Sequence, residues 1–315
     1  VVNYTDIVLP EPLYFEDFES VAETDLPAGW TAWNLSDPAG WDPGNTDPQD
    51  LGSAVFADWT VIDSTRFTES MITYDGGDPT DDYQRVLTPN PANVVNGEVV
   101  DNLASGQMLF GNTGYRNGDV VIYITSPVYD LSSAGNVYLA FHNIYEQNQD
   151  NLGALEYTTD GGATWLPILY MVDQEEVAAG PDVVAVLTAP NDDQVVTTDP
   201  VLGPAHGDFI GAPITEALAP YLSGRIDNDP AGSKRVEVFR LADADQQGAV
   251  QFRFVLTGTD SWYWGIDNFG IYSLSEGVPP VILTQPTSQT RHIGDSAEFS
   301  VVVQSEGPVT YQWMF

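Results

Sequence analysis

The chain of 315 residues has no cysteine, so neither a disulfide nor a thiolate-bound metal is open to it. Lysine is nearly absent too: Lys234 is the only one, and nine basic residues stand against 46 acidic ones, a formal net charge of −37. Such a field repels nucleic acid and anionic membrane surfaces, and it attracts divalent cations. No stretch approaches the ~20 apolar residues of a membrane helix, so insertion through such a helix is not expected. The opening VVNYTDIVLP lacks the basic start of a signal peptide, as a mature, processed chain would. Catalytic signals are equally sparse. There are three histidines, His142, His206 and His292, and no Gly-x-Ser-x-Gly elbow. A carboxylate pair can hydrolyse glycosides, but among 46 acids some pair always lies close, so proximity alone carries no weight. The expectation is a non-enzyme.

What the chain does have is β character. Hydrophobic residues make up 43% and aromatics 11%, enough for a real core and against disorder despite the charge. Short alternating runs dominate, among them GDVVIYITSPVYDL, NVYLAFHNIYE, RVEVFRLAD and AVQFRFVLTGTD, rich in Val, Ile, Tyr and Phe. LEYTTDGGATWLPI reads as a hairpin whose turn is Asp160-Gly161-Gly162. Twenty-two prolines fit the same all-β picture. Three stretches are long and irregular: 34–59, 73–102 and about 187–232. The third holds the one helix-like segment, APITEALAPYLSGRI, with Gly224 as its cap and Ile214, Leu218 and Leu222 as its buried stripe. A stiff linker, Gly277-Val278-Pro279-Pro280, marks a change of composition. The expected organisation is an extended segment 1–11, a sandwich over 12–275, a linker 276–282 and a second module 283–315.

One strand poses a chemical problem. In DSWYWGIDNFGIYS (260–273), strict alternation places Trp262, Trp264, Ile266 and Tyr272 on one face. It places Tyr263, Asp267, Phe269 and Ile271 on the other. Asp267 would then be a carboxylate among core residues, which is disfavoured unless it is paired, hydrogen-bonded or bound to metal.

Two resemblances bear on this. YFEDFES and LPAGWTAWN near the start, ITSPVYDL and ALEYTTDGGATWLPI in the middle, and WGIDNFGIYS at the end make residues 12–275 similar to the jelly-roll modules of the MAM and cleaved-adhesin type found in secreted bacterial proteins. TQPTSQTRHIGDSAEFSVVV and VTYQWMF make 283–315 resemble the A, B and C strands of a bacterial immunoglobulin-like domain. Trp313 would be its core tryptophan, and Val301 stands where such domains carry their first cysteine. The resemblance implies an all-β chain: a jelly-roll β-sandwich plus a partial immunoglobulin-like sandwich. It also implies an answer for Asp267. In such jelly rolls an early strand with a Phe-Glu pair lies beside a last strand with an Ile-Asp pair, and the carboxylates hold a structural calcium ion. The matching residues are Glu19 and Asp267, with Asp17 as a third ligand on the face of Glu19. Calcium takes six to eight oxygens, so carbonyls and water would complete the set. DNDPAG (227–232) begins like a helix–loop calcium motif but places Ala231 and Val238 where oxygen ligands belong.

The resemblance further implies a secreted or cell-surface bacterial location. The leading functional expectation is a non-catalytic adhesion or structural module of a larger protein, partnered by copies of itself or other surface proteins. A carbohydrate-binding module is the first alternative, with Trp33, Trp41 and Trp59, all near acid-rich loops, as an exposed stacking platform for glycans. A subunit of an extracellular filament is the second, with VVNYTDIVLP as the strand donated to a neighbour's open edge.

Overall fold

The computed structural model describes residues 2–4, 7–34, 53–67, 94–95, 98–99, 103–113, 120–145, 152–173, 220–225, 234–258, 263–274, 281–284 and 299–304, with isolated residues at 44, 46–47, 147, 286, 289–292 and 296. They contain sixteen strands and only short 3-10 turns besides. In chain order these are β1 (Tyr14–Glu16), β2 (Thr31–Asn34), β3 (Thr60–Asp63), β4 (Val94–Val95), β5 (Glu98–Val99), β6 (Gln107–Asn112), β7 (Val120–Thr125) and β8 (Val137–Tyr145). There follow β9 (Leu152–Thr158), β10 (Leu166–Asp173), β11 (Leu222–Arg225), β12 (Lys234–Arg240), β13 (Gln251–Gly258), β14 (Tyr263–Ser273), β15 (Val281–Thr284) and β16 (Val302–Gln304).

The chain forms two compact units, Val1–Ser273 and Leu274–Phe315. The first is a sandwich of two six-stranded sheets. One runs β12-β8-β14-β6-β3, with β1 also beside β14; the other runs β11-β10-β9-β13-β7-β2. Within them β6-β14-β8-β12 lies in one sheet and β7-β13-β9-β10 in the other. That is the strand order of a jelly roll, two interleaved Greek keys in which distant strands become neighbours. The first sheet is antiparallel throughout, and the second departs from that only where β11 runs parallel to β10. The hairpin between β9 and β10 turns as the sequence predicts, with Gly161 and Gly162 at φ 74 and 90 and Asp160 Oδ1 accepting the Thr164 amide at 2.9 Å.

Between the sheets lies an aromatic core. Phe254 of β13 meets Trp264 at 5.5 Å and Phe141 at 5.9 Å, edge to face, and Phe269 at 6.0 Å. A second cluster, with Met108, Phe110, Val236, Val238 and Tyr263, buries the opposite face of the β14 sheet. Two ion pairs are sealed within the unit: Arg225 with Glu237 at 2.8 Å, and Arg253 with Glu156, which also takes the Tyr170 hydroxyl.

Two sequence expectations are corrected. The helix over APITEALAPYLSGRI fails at its C-terminal end: Leu222–Arg225 is the edge strand β11, and Gly224 pairs with Val172 instead of capping a helix. Pairing along the β10 edge outweighs the local helical period; Ile214 and Leu218 lie outside the described residues. The face assignment of β14 is also wrong past Asp267. The ladder to β8 shifts register between Asp267 and Gly270, and Asn268 takes φ 51. This bulge flips the alternation, so Trp264, Ile266, Phe269 and Ile271 all face the inter-sheet core, while Asp267 points the other way.

In the second unit β15 pairs antiparallel with β16, Val281 opposite Gln304 and Ile282 opposite Val303. Phe299 is 49% exposed, and Trp313 lies outside the described residues.

Candidate functional site: an acidic pair under the 103–107 loop

Asp267 stands at the last regular position of β14 before the bulge, opposite His142 on β8. It is 1% exposed. Its Oδ2 accepts the Ser105 amide at 3.3 Å and its Oδ1 the Asn268 amide at 2.7 Å. Two residues along the same loop, the Gln107 amide donates to Glu19 Oε2 at 3.4 Å. Residues 105–107 therefore join the two carboxylates named from the sequence. Gly106 between them has φ 69, which favours glycine, and a Cβ there would meet the Glu19 carboxylate and push it aside.

The electrostatics are those of a site short of positive charge. Burial pushes the Asp267 carboxyl up to about 7, and the nearby charges of Glu19 and Asp17 add to it against the two amide bonds. Among the described residues no arginine or lysine pairs with it. His142 beside it is held below its ordinary value by burial; its Nδ1 lies 3.0 Å from the Leu103 carbonyl oxygen and 3.2 Å from the side-chain Nδ2 of Asn268. Two hard carboxylates with no arginine or lysine between them among the described residues suit a hard oxygen-seeking cation such as calcium, and the buried Asp267 is the observation that fits it.

The placement differs in detail from expectation. β1 ends at Glu16, which pairs with Phe269, so the Phe-Glu pair on the strand is Phe15-Glu16. Phe18 and Glu19 lie in the turn that follows, Phe18 at φ 59, and strand alternation does not apply to Asp17 and Glu19. Asp17 instead accepts the Glu19 amide at 3.2 Å. Among the described residues no three His, Asp or Glu side chains converge as a metal cluster, so a cation here would draw most of its ligands from carbonyls and water. Sequence reasoning missed Ser105, Gly106, His142 and Asn268. The only signal was a glycine just ahead of β6.

The tryptophan platform does not assemble. Trp59 is 1% exposed and packs edge to face on Trp264 at 5.6 Å, its indole lying over Gly111. Trp33 is 40% exposed and stacks on Tyr123 at 4.9 Å and 10°. Trp41 lies outside the described residues. The segment expected as a donated strand is docked on its own molecule. Tyr4 N–H donates to the Val238 carbonyl at 2.9 Å, and Asn3 Oδ1 accepts the Val238 amide at 2.8 Å. Asn3 Nδ2 also reaches Glu237 Oε2 at 2.7 Å.

No protein-family model matches the chain, and no curated protein matches it. Among solved structures it is similar to the K1 cleaved adhesin domain of Lys-gingipain from Porphyromonas gingivalis W83, at 12% identity and a TM-score of 0.37, over 83% of this chain and 98% of that one. The K3 domain of the same protein gives 17% and 0.36 over 83% and 99%. TmCBM61, solved with β-1,4-galactotriose, gives 8% and 0.34 over 78% and 90%.

Proposed function

We propose that this chain is a non-catalytic adhesion or structural module of a secreted or surface-exposed bacterial protein, with its sandwich fastened by calcium. The observation that carries it is Asp267: a fully buried carboxylate facing further acids, held by two backbone amides and, among the described residues, by no arginine or lysine. Glu19 and Asp267 would hold the ion, which would cancel their repulsion and tie the turn after β1 and the 103–107 loop to β14. Extracellular modules bind calcium at Kd of ~10⁻⁴–10⁻³ M, matched to calcium-rich surroundings. The test is calorimetric titration of chelated protein with calcium, with thermal melts in both states. Binding with a raised Tm supports the proposal. Absence of binding, or binding untouched by Glu19→Gln with Asp267→Asn, overturns it.

A carbohydrate-binding module is the second hypothesis. It is favoured by an aromatic-lined cleft at one end of the sandwich. Retention on a glycan array tests it, and no retention on any glycan removes it.

A further inference from the structure

The cleft has a volume of about 330 Å³ and opens where the C-terminal ends of β9 and β12 and the start of β10 meet the turn at Ala242–Ala244. Tyr157 and Ile168 come from one sheet and Phe239 and Arg240 from the other, while Tyr4 and Tyr221 flank them. A site of this size is at the small end of ligand pockets, ~300–1,000 Å³, and suits one or two sugar rings.

Its chemistry narrows the ligand. Tyr157 is 4% exposed, backed by Phe252 at 6.4 Å, and its hydroxyl is held by the Asp243 backbone, so that ring is fixed. The Arg240 guanidinium is taken up by its neighbours: Nη1 donates to the Val137 carbonyl at 3.2 Å and to Asp245 Oδ1 at 3.0 Å, and Nη2 to Asp245 Oδ2. With that cation neutralised, the exposed carboxylate of Asp243 sets the charge of the cleft. Anionic ligands are therefore repelled, by the cleft and by a chain of net charge −37. A wholly apolar ligand would desolvate Asp243 without return. A cation over the tyrosine rings is the competing ligand; the apolar walls and the single carboxylate also suit a molecule with a C–H face for tyrosine rings and hydroxyls for the carboxylate.

We propose that this cleft is a binding site for a neutral pyranose, with Asp243 accepting hydroxyl hydrogen bonds and Tyr221 and Tyr4 giving ring contact. It rests on the carbohydrate-binding hypothesis but moves the site away from Trp33. It also gives the docked N-terminal segment a role, because Val2 and Tyr4 form one wall.

The test uses the full chain with calcium present. Methyl galactoside, methyl glucoside, methyl mannoside, glucuronate and tetramethylammonium are titrated by calorimetry and followed by tyrosine NMR signals. Expected is millimolar binding of at least one neutral glycoside, Kd ~1 mM, and none of glucuronate. Asp243→Ala and Tyr221→Ala should each weaken it about tenfold or more, while Trp33→Ala stays within about twofold. Both weakened positions are solvent-accessible, and circular dichroism verifies that the variants fold. Glycoside binding lost in Trp33→Ala and kept in Tyr221→Ala overturns the cleft but leaves the carbohydrate hypothesis standing. Tetramethylammonium binding without glycoside binding overturns the ligand class. No glycoside binding at all overturns both.

Discussion

Replacing Asp267 by asparagine should stabilise the protein in chelator and lose that advantage in calcium. In chelator, the carboxyl titrates near 7 in the folded state against an ordinary 3.8. The difference of about 3 units is about 4 kcal/mol at ~1.4 kcal/mol per unit, by which the ionised group opposes folding. Because the folded value is raised, the protonated group's contribution is fully present below about pH 4 and lost as pH rises through about 7. Asparagine keeps the shape and removes the charge. It presents one oxygen to two amide donors, those of Ser105 and Asn268, and one mismatch costs about 1–3 kcal/mol. The net expectation in chelator at about pH 8 is a variant more stable than its parent by about 1–3 kcal/mol. At calcium a hundredfold above Kd the parent gains about 2.7 kcal/mol that the variant forgoes, so the order closes or reverses. Urea unfolding of both proteins, with chelator and with calcium, measures this. A variant equally affected in both conditions would falsify the account of Asp267 as a charge awaiting a cation.

Gly106→Ala forces a left-handed alanine, at about 1–2 kcal/mol, and displaces the Glu19 carboxylate; calcium titration should show affinity falling more than the melt does. Trp59→Ala should cost about 3–5 kcal/mol by denaturant unfolding and leave glycan retention unchanged; a surface-like cost below about 1 kcal/mol contradicts its core placement. Glu237→Ala removes the buried carboxylate that pairs with Arg225 and should cost about 3–5 kcal/mol, while replacing both with apolar residues of similar size should cost less. The double variant proving worse than the single would count against the pair being sealed from water.

The sequence made some parts legible because they are local. Runs such as 120–125 and 251–258 declare strands by composition, and Asp160-Gly161-Gly162 declares its turn by the φ it needs. The pairing of Glu19 with Asp267 through one loop was reachable only through resemblance, since 248 positions separate them (267 − 19). What stayed hidden was non-local. The bulge at Asn268 is a single positive φ that reverses the facing of Phe269 and Ile271, and alternation cannot foresee it. Trp33 and Trp59 read alike beside acidic loops, yet one lies on the surface and the other fills the space above Gly111. Leu222–Arg225 looked helical because its fate depends on β10, some fifty residues earlier.

The two sealed ion pairs have a consequence for how molecules meet. Of nine basic residues, Arg225 and Arg253 are turned inward to neutralise Glu237 and Glu156, and Arg240 and Arg66 are matched to Asp245 and Glu23. Little positive charge is left for the exterior, so two copies approach as bodies of like sign across nearly every orientation. At low ionic strength, where the screening length reaches ~30 Å in 0.01 M salt, this repulsion sets in well before contact. Added salt shortens it, and divalent ions can bridge carboxylates on facing molecules. Close packing of these modules would then depend on the ionic make-up of their surroundings as much as on complementary shape.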